Sequence, residues 1–168
     1  MEEIKWVCKP FAELTVSELY AVIRLRNEVF IVEGFAGVFQ DADNRDKHAV
    51  HLLGYVKNAL RECDEENLAA YCRIFPPGVV YPSVAIGRVC CHSKHRRKGL
   101  GRCLMLQSFA EVAARWPQTE IEIGAQVYLR AFYESMGFVR EGEVYIDGDK
   151  IDHIHMRRPP PELGSAGS

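Results

Sequence analysis

No apolar run in the chain approaches the roughly 20 residues of a membrane-spanning helix, and the acidic start Met1-Glu2-Glu3 is unlike a signal peptide. A cytoplasmic protein that engages no membrane is expected. Basic excess is missing too. The chain's 21 Lys and Arg against 23 Asp and Glu leave a net charge of −2, which is not the balance of a nucleic-acid binder. Of the six cysteines (Cys8, Cys63, Cys72, Cys90, Cys91, Cys103), none forms a C-x-x-C pair. Without an export signal, reduced and mostly buried thiols are expected, not a disulfide framework. Apart from adjacent Cys91-His92, no histidine stands at short metal spacing from a cysteine, so no metal is expected. Neither G-x-x-x-x-G-K-[ST] nor G-x-G-x-x-G occurs, and there is no internal repeat.

What is present fits one globular domain. The 168 residues are 48% hydrophobic and 26% charged, ordinary usage for a folded chain. At this length about 70% of the unfolded surface can be buried without staples. We place one domain over residues 1–157. The Pro159-Pro160-Pro161 stretch and its small-residue end, residues 158–168, read as a disordered tail.

Periodicity predicts the order β-α-β-β-β-α-β-α-β-β, a mixed α/β chain around one sheet. Residues 4–8 read as a strand. Thr15 with Glu18 forms a capping box, and a helix should run from there to a stop at Gly34. Residues 35–47 read as a surface loop with Asp41, Asp43 and Asp46. A hairpin follows, 51–56 with 68–74, joined by the polar stretch 58–67. Residues 84–91 form an apolar strand, 99–116 a helix ended by Pro117, and 121–125 a strand reached by a right-handed crossover. A short helix at 128–136 and two strands, 138–146 and 151–156, around Asp147-Gly148 close the domain.

The chemistry concentrates between Val84 and Arg102. A buried strand passes through a short basic loop into a helix whose first turn holds Gly99 and Gly101. Glycines there leave backbone N–H groups open at a helix N-terminus, an anion site. Lys94, Arg96, Arg97, Lys98 and Arg102 add positive charge, as a pyrophosphate with a further phosphate would need.

These residues carry a resemblance. Arg96-Arg97-Lys98-Gly99-Leu100-Gly101 resembles the Q/R-x-x-G-x-G/A signature of the GCN5-related N-acetyltransferases, and Phe132-Tyr133-Glu134-Ser135-Met136-Gly137-Phe138 resembles their F/L-Y-x-x-x-G-F helix end. Within that superfamily the stretches L-Y-A-V-I-R-L-R-N-E-V-F-I-V-E, F-Q-D-A-D, H-L-L-G-Y and A-Y-C-R-I-F resemble the ElaA-like branch, and the similarity extends over about residues 2–157.

The resemblance implies the acyl-CoA N-acyltransferase fold and transfer of an acetyl group from acetyl-CoA to a primary amine, on a small molecule or a peptide, in a ternary complex. It implies pantetheine contacts from the backbone of Val89, Cys90 and Cys91, and pyrophosphate contacts from Arg96, Arg97, Lys98, Gly99, Leu100, Gly101 and Arg102. The family's frequent asparagine, seven residues before the helix tyrosine, is Gln126 here. Tyr133 takes the place of the general acid toward the departing thiolate, and a phenol of pKa about 10 suits that task. A strand N–H near Val89 can stabilise the oxyanion.

The glutamate that some relatives place on the strand before the signature is Ala85 here. Glu33, Asp41, Asp43, His51, Glu122 and His153 stay open as bases. Arg88 is either a salt-bridged structural residue or part of the acceptor site. The acidic loop points to a cationic amine or is simply solvated. An acyl-cysteine route through Cys90 or Cys91 is disfavoured, since no histidine pairs with a strand thiol. Rival readings are a non-catalytic acyl-CoA-binding regulatory module and a nucleotide-binding domain. A homodimer stays open.

Overall fold

Local signals start the fold as expected. In the computed structural model, which describes residues 3–34, 39–57, 67–148 and 150–160, Thr15 Oγ1 accepts the Glu18 N–H and the Glu18 carboxylate accepts the Thr15 N–H. This capping box opens α1 (Val16–Arg26). Glu18 also accepts from Lys9 Nζ at 2.8 Å, which ties the helix start to β1 (Ile4–Pro10). The helix does not continue unchanged toward Gly34. From Asn27 to Val32 it widens into a π-helix, a winding often found beside functional sites. The change begins next to Arg26, whose buried guanidinium is held from outside the helix by Asp41 and Asp46.

Seven strands form one sheet in the order β1-β2-β3-β4-β5-β7-β6, with β2 Val50–Val56, β3 Leu68–Phe75, β4 Val84–Cys91, β5 Ile121–Gln126, β6 Val139–Ile146 and β7 Asp152–Arg158. With α2 (Leu100–Arg115) and α3 (Arg130–Glu134), the element order is the one expected. The short helix is only partly α-helical, since Val127–Leu129 forms a 3-10 turn before α3. β7 runs to Arg158, one residue into the stretch set aside as tail; its guanidinium lies 4.2 Å from the centre of the Phe109 ring and donates to the Met136 carbonyl. Nearly all of the expected β2–β3 connection, and residues 161–168, lie outside the described residues.

The strand period of two sorts side chains onto two faces. Leu52, Cys72, Ile74, Ile123 and Ile154 pack with Leu104 and Met105 of α2. On the opposite face, Leu53, Tyr55 and Tyr71 pack against Ala21, Val22 and Leu25 of α1. Each fully buried aliphatic side chain contributes about 1.5–3 kcal/mol. Two irregularities in β4 open the sheet between these layers. β4 and β5 are parallel, yet they pair only at Val84–Ile121 and Ala85–Glu122. β4 also carries a bulge: Tyr71 pairs with Cys90 but Arg73 with Gly87, so β4 holds one residue more than β3 there. The extra residue bends the strand, and Arg88 adopts the left-handed φ of 53°.

Candidate active site

The opening between β4 and β5 gives two cavities that meet at Phe30, Phe39, Val89, Gln126, Leu129 and Tyr133. One, of about 740 Å³, runs from this junction to the start of α2. The other, of about 490 Å³, lies over β5, β6 and β7.

The larger cavity gathers most of the residues implied by the signature. Cys90, Cys91, Arg96, Arg97, Gly99, Leu100, Gly101 and Arg102 all line it, with Val89, Gln126 and Tyr133 at the junction. Lys98 is exposed and is not among the lining residues. Gly99 caps α2 with φ 80°, a conformation glycine adopts without penalty, and a Cβ there would point into open space. Neither glycine adds bulk beside the free N–H groups of the helix start, which suits a phosphate group. Two of the arginines serve the protein itself. Arg96 donates to the Cys91 carbonyl at 2.8 Å and pairs with Glu33 at 2.6 Å. Arg102 reaches Ser135 Oγ at 2.8 Å, joining α2 to the end of α3.

Tyr133 is 5% exposed, and its ring stands edge-on to Phe132 and Phe138. Burial drives its phenol well above the ordinary tyrosine range, so the hydroxyl keeps its proton at any working pH. Burial likewise raises the Cys91 thiol to about 11, and raises Cys90 further. Neither supplies a thiolate near neutral pH. Val89 has no register partner in β3 or β5 among the described residues and lines both cavities.

The candidate bases separate clearly. Glu33 is bound to Arg96, and Glu122 to Ser83 and to His155 Nε2. His51 is fully buried: its Nε2 donates to the Asp46 carbonyl at 2.9 Å and its Nδ1 accepts from Tyr71 at 2.8 Å. Asp41 and Asp43 are bound to arginines, among them Arg88, whose Nε donates to Asp41 Oδ1. Of the two alternatives for Arg88, the salt-bridged one is realised, although its side chain also borders the smaller cavity. His153 lines that cavity. Its Nδ1 lies 2.7 Å from the Ile151 carbonyl, which can only accept, so Nδ1 carries a hydrogen.

Sequence reasoning missed the contribution of the π-helix, which brings Val29 and Phe30 to the larger cavity, and most of the smaller cavity's wall. Helical periodicity does not distinguish π from α winding. The cavity wall comes from strands far apart in sequence.

The comparisons with known proteins agree with this architecture. A family model described as an acetyltransferase (GNAT) domain matches residues 64–159. Protein ElaA of Escherichia coli is 37% identical over 157 residues, covering 92% of this chain and 96% of its own. The chain belongs to the GNAT family, and to its ElaA-like branch. The crystal structure of E. coli ElaA superposes with a TM-score of 0.80 at 36% identity, over 93% of this chain and 99% of that one. An acyl-CoA N-acyltransferase from Pseudomonas aeruginosa gives 0.82 at 38%, with the same coverage. Spermidine N-acetyltransferase from Vibrio cholerae, solved with CoA and spermine, gives 0.63 at 17% and covers 92% of this chain and 95% of its own, a likeness of fold alone. The fold is that of the GNAT acyltransferases, and the family makes the protein an acyltransferase.

Proposed function

We propose that the protein transfers an acetyl group from acetyl-CoA to a primary amine by direct attack within a ternary complex. The observation that carries this reading is the position of Tyr133, which lines both cavities where they meet. A donor in the larger cavity and an amine in the smaller one would face each other across it.

Acetyl-CoA supplies the acetyl group as a thioester; the chain's residues bind it and move protons. The open start of α2 and its basic neighbours hold the phosphates, and the backbone of Val89 to Cys91 flanks the pantetheine arm. In this reading a Val89 N–H stabilises the carbonyl oxygen as the C–N bond forms. The amine loses its proton to solvent as the C–N bond forms, and the Tyr133 hydroxyl gives one to the sulfur as the C–S bond breaks. The high thiol pKa values of Cys90 and Cys91 speak against an acyl-cysteine intermediate. A panel of aralkylamines, amino acids, polyamines, aminoglycosides and lysine peptides, followed by thiol release from acetyl-CoA, tests the reading. At least one amine should give release together with its N-acetyl product. Tight CoA binding with no release from any amine would favour a regulatory module.

A further inference from the structure

Three aspartates suggested a cationic acceptor, and the structure uses up all three. Asp41 accepts from Arg26 Nε at 2.8 Å and from Arg88 Nε at 2.7 Å. Asp43 takes both terminal nitrogens of Arg73, and Asp46 accepts from Arg26 and Arg73 at 2.8 Å each. Three guanidiniums cancel three carboxylates, so the loop offers no spare negative charge. Arg45 adds a further cation to the rim of the smaller cavity.

The cavity is instead lined with rings. Phe75, Tyr81 and Tyr145 face it, with Phe30, Phe39 and Tyr133 toward the junction. Its floor includes Gly87 of β4 and Gly124 of β5. A Cβ on Gly87 would meet only Arg73 Nε, at 3.8 Å, so the backbone is bare toward the cavity. The hydroxyls of Tyr145 and Tyr81 lie 2.6 and 3.9 Å from where a Gly124 Cβ would stand. Bare backbone below and aromatic walls around give a slot for a flat apolar group. Besides Arg73-bound Asp43, the carboxylate that lines it among the described residues is exposed Asp147, whose Oδ1 accepts the Gly148 N–H.

We propose that this cavity receives a primary monoamine with an aromatic body and discriminates against polycations. The proposal rests on the transfer reading above and names its acceptor. A ring over the bare backbone of Gly87 stacks against the walls, and its single ammonium finds the phenol oxygens of Tyr81 and Tyr145, which cover Gly124. A polyamine would bring its further ammonium groups against Arg45 and toward loop aspartates whose charge is already taken by arginines.

Calorimetry on the full chain saturated with CoA, with 2-phenylethylamine and spermidine as probes, tests this apart from turnover. The Kd of 2-phenylethylamine should be at least tenfold lower than that of spermidine. Gly87→Val, which fills the floor, should weaken 2-phenylethylamine about tenfold or more and leave CoA affinity unchanged. If that variant does not fold, Tyr145→Ala, at a partly exposed position, should give the same loss. Spermidine binding as tightly, no binding of either probe, or a filled cavity that binds the arylamine as before would overturn the proposal. Arylamine binding without thiol release would keep it and remove transfer; fastest release with spermidine would do the reverse.

Discussion

Arg88, the bulge residue of β4, donates its Nε–H to Asp41 Oδ1 at 2.7 Å, 47 positions away in sequence. The left-handed residue at the opening is thereby fixed to the acidic loop, and Asp41 in turn holds the buried Arg26. Asp41→Ala would remove the carboxylate that Arg88 and Arg26 share, leaving each its bond to the backbone carbonyl of residue 41 and Arg26 its pair with Asp46. Breaking a buried pair typically costs about 3 kcal/mol or more. Urea denaturation should show a loss of that order, and a loss under about 0.5 kcal/mol would mean the network only decorates the surface.

Gly124 and Tyr145 form a second linked pair, since an added Cβ would stand 2.6 Å from the phenol oxygen but 3.9 Å from its ring carbon Cζ. Gly124→Ala should therefore displace Tyr145 and lower kcat/KM for the amine roughly 10–100-fold, with CoA affinity intact. In a Tyr145→Phe background the same alanine should cost far less, because the clashing atom is gone. Equal losses in both backgrounds would show that the two positions are uncoupled.

Tyr133→Phe preserves the packing against Phe132 and Phe138 and removes only the hydroxyl. If that hydroxyl protonates the thiolate, turnover should drop by about 10²–10⁴-fold with unchanged acetyl-CoA affinity. Donors with more acidic thiols should lose less. A phenylalanine variant with wild-type single-turnover rates would make Tyr133 a packing residue.

The glycines at the start of α2 should respond differently to substitution. Gly99 has φ 80°, so Gly99→Val strains the backbone by at least about 1–2 kcal/mol and lowers the melting temperature. Gly101 is helical, and its Cβ would touch only the Phe132 ring at 3.8 Å. Gly101→Val should keep the fold and abolish CoA binding by calorimetry. Unchanged affinity would remove the phosphate site from this helix.

Burial, against the pull of the Asp46 carbonyl, lowers the His51 pKa below its ordinary value. The unfolded chain then binds more protons than the folded one, so stability falls as pH drops through about 6.5, by up to about 1.4 kcal/mol per unit. Asp43 behaves differently. Burial alone would raise its pKa, but hydrogen bonds and charge from Arg73 outweigh this and hold it far below the carboxylate range. Its contribution is present above about pH 4 and is lost only in stronger acid. Stability measured from pH 7 to 5 should show the histidine slope, and His51→Gln should flatten it.

The sequence by itself determined the order of the elements and pointed to many of the residues that line the larger cavity. Those signals are local: the Thr15–Glu18 box, the alternation within strands, the glycines after a basic loop, and Tyr133 on its short helix. Each depends on residues a few positions apart, which is the range over which backbone conformation and capping act. Tertiary structure alone decided the rest. The β4–β5 divergence depends on register between strands separated by α2, and the bulge at Arg88 on pairing with β3. The loop carboxylates could not be read as neutralised, because Arg26, Arg73 and Arg88 come from three separate elements and meet Asp41, Asp43 and Asp46 only once the chain has folded. The acidic loop thus changed its meaning, from a lure for cations to the filled half of a charge network, because charge acts through distance in space and not along the sequence.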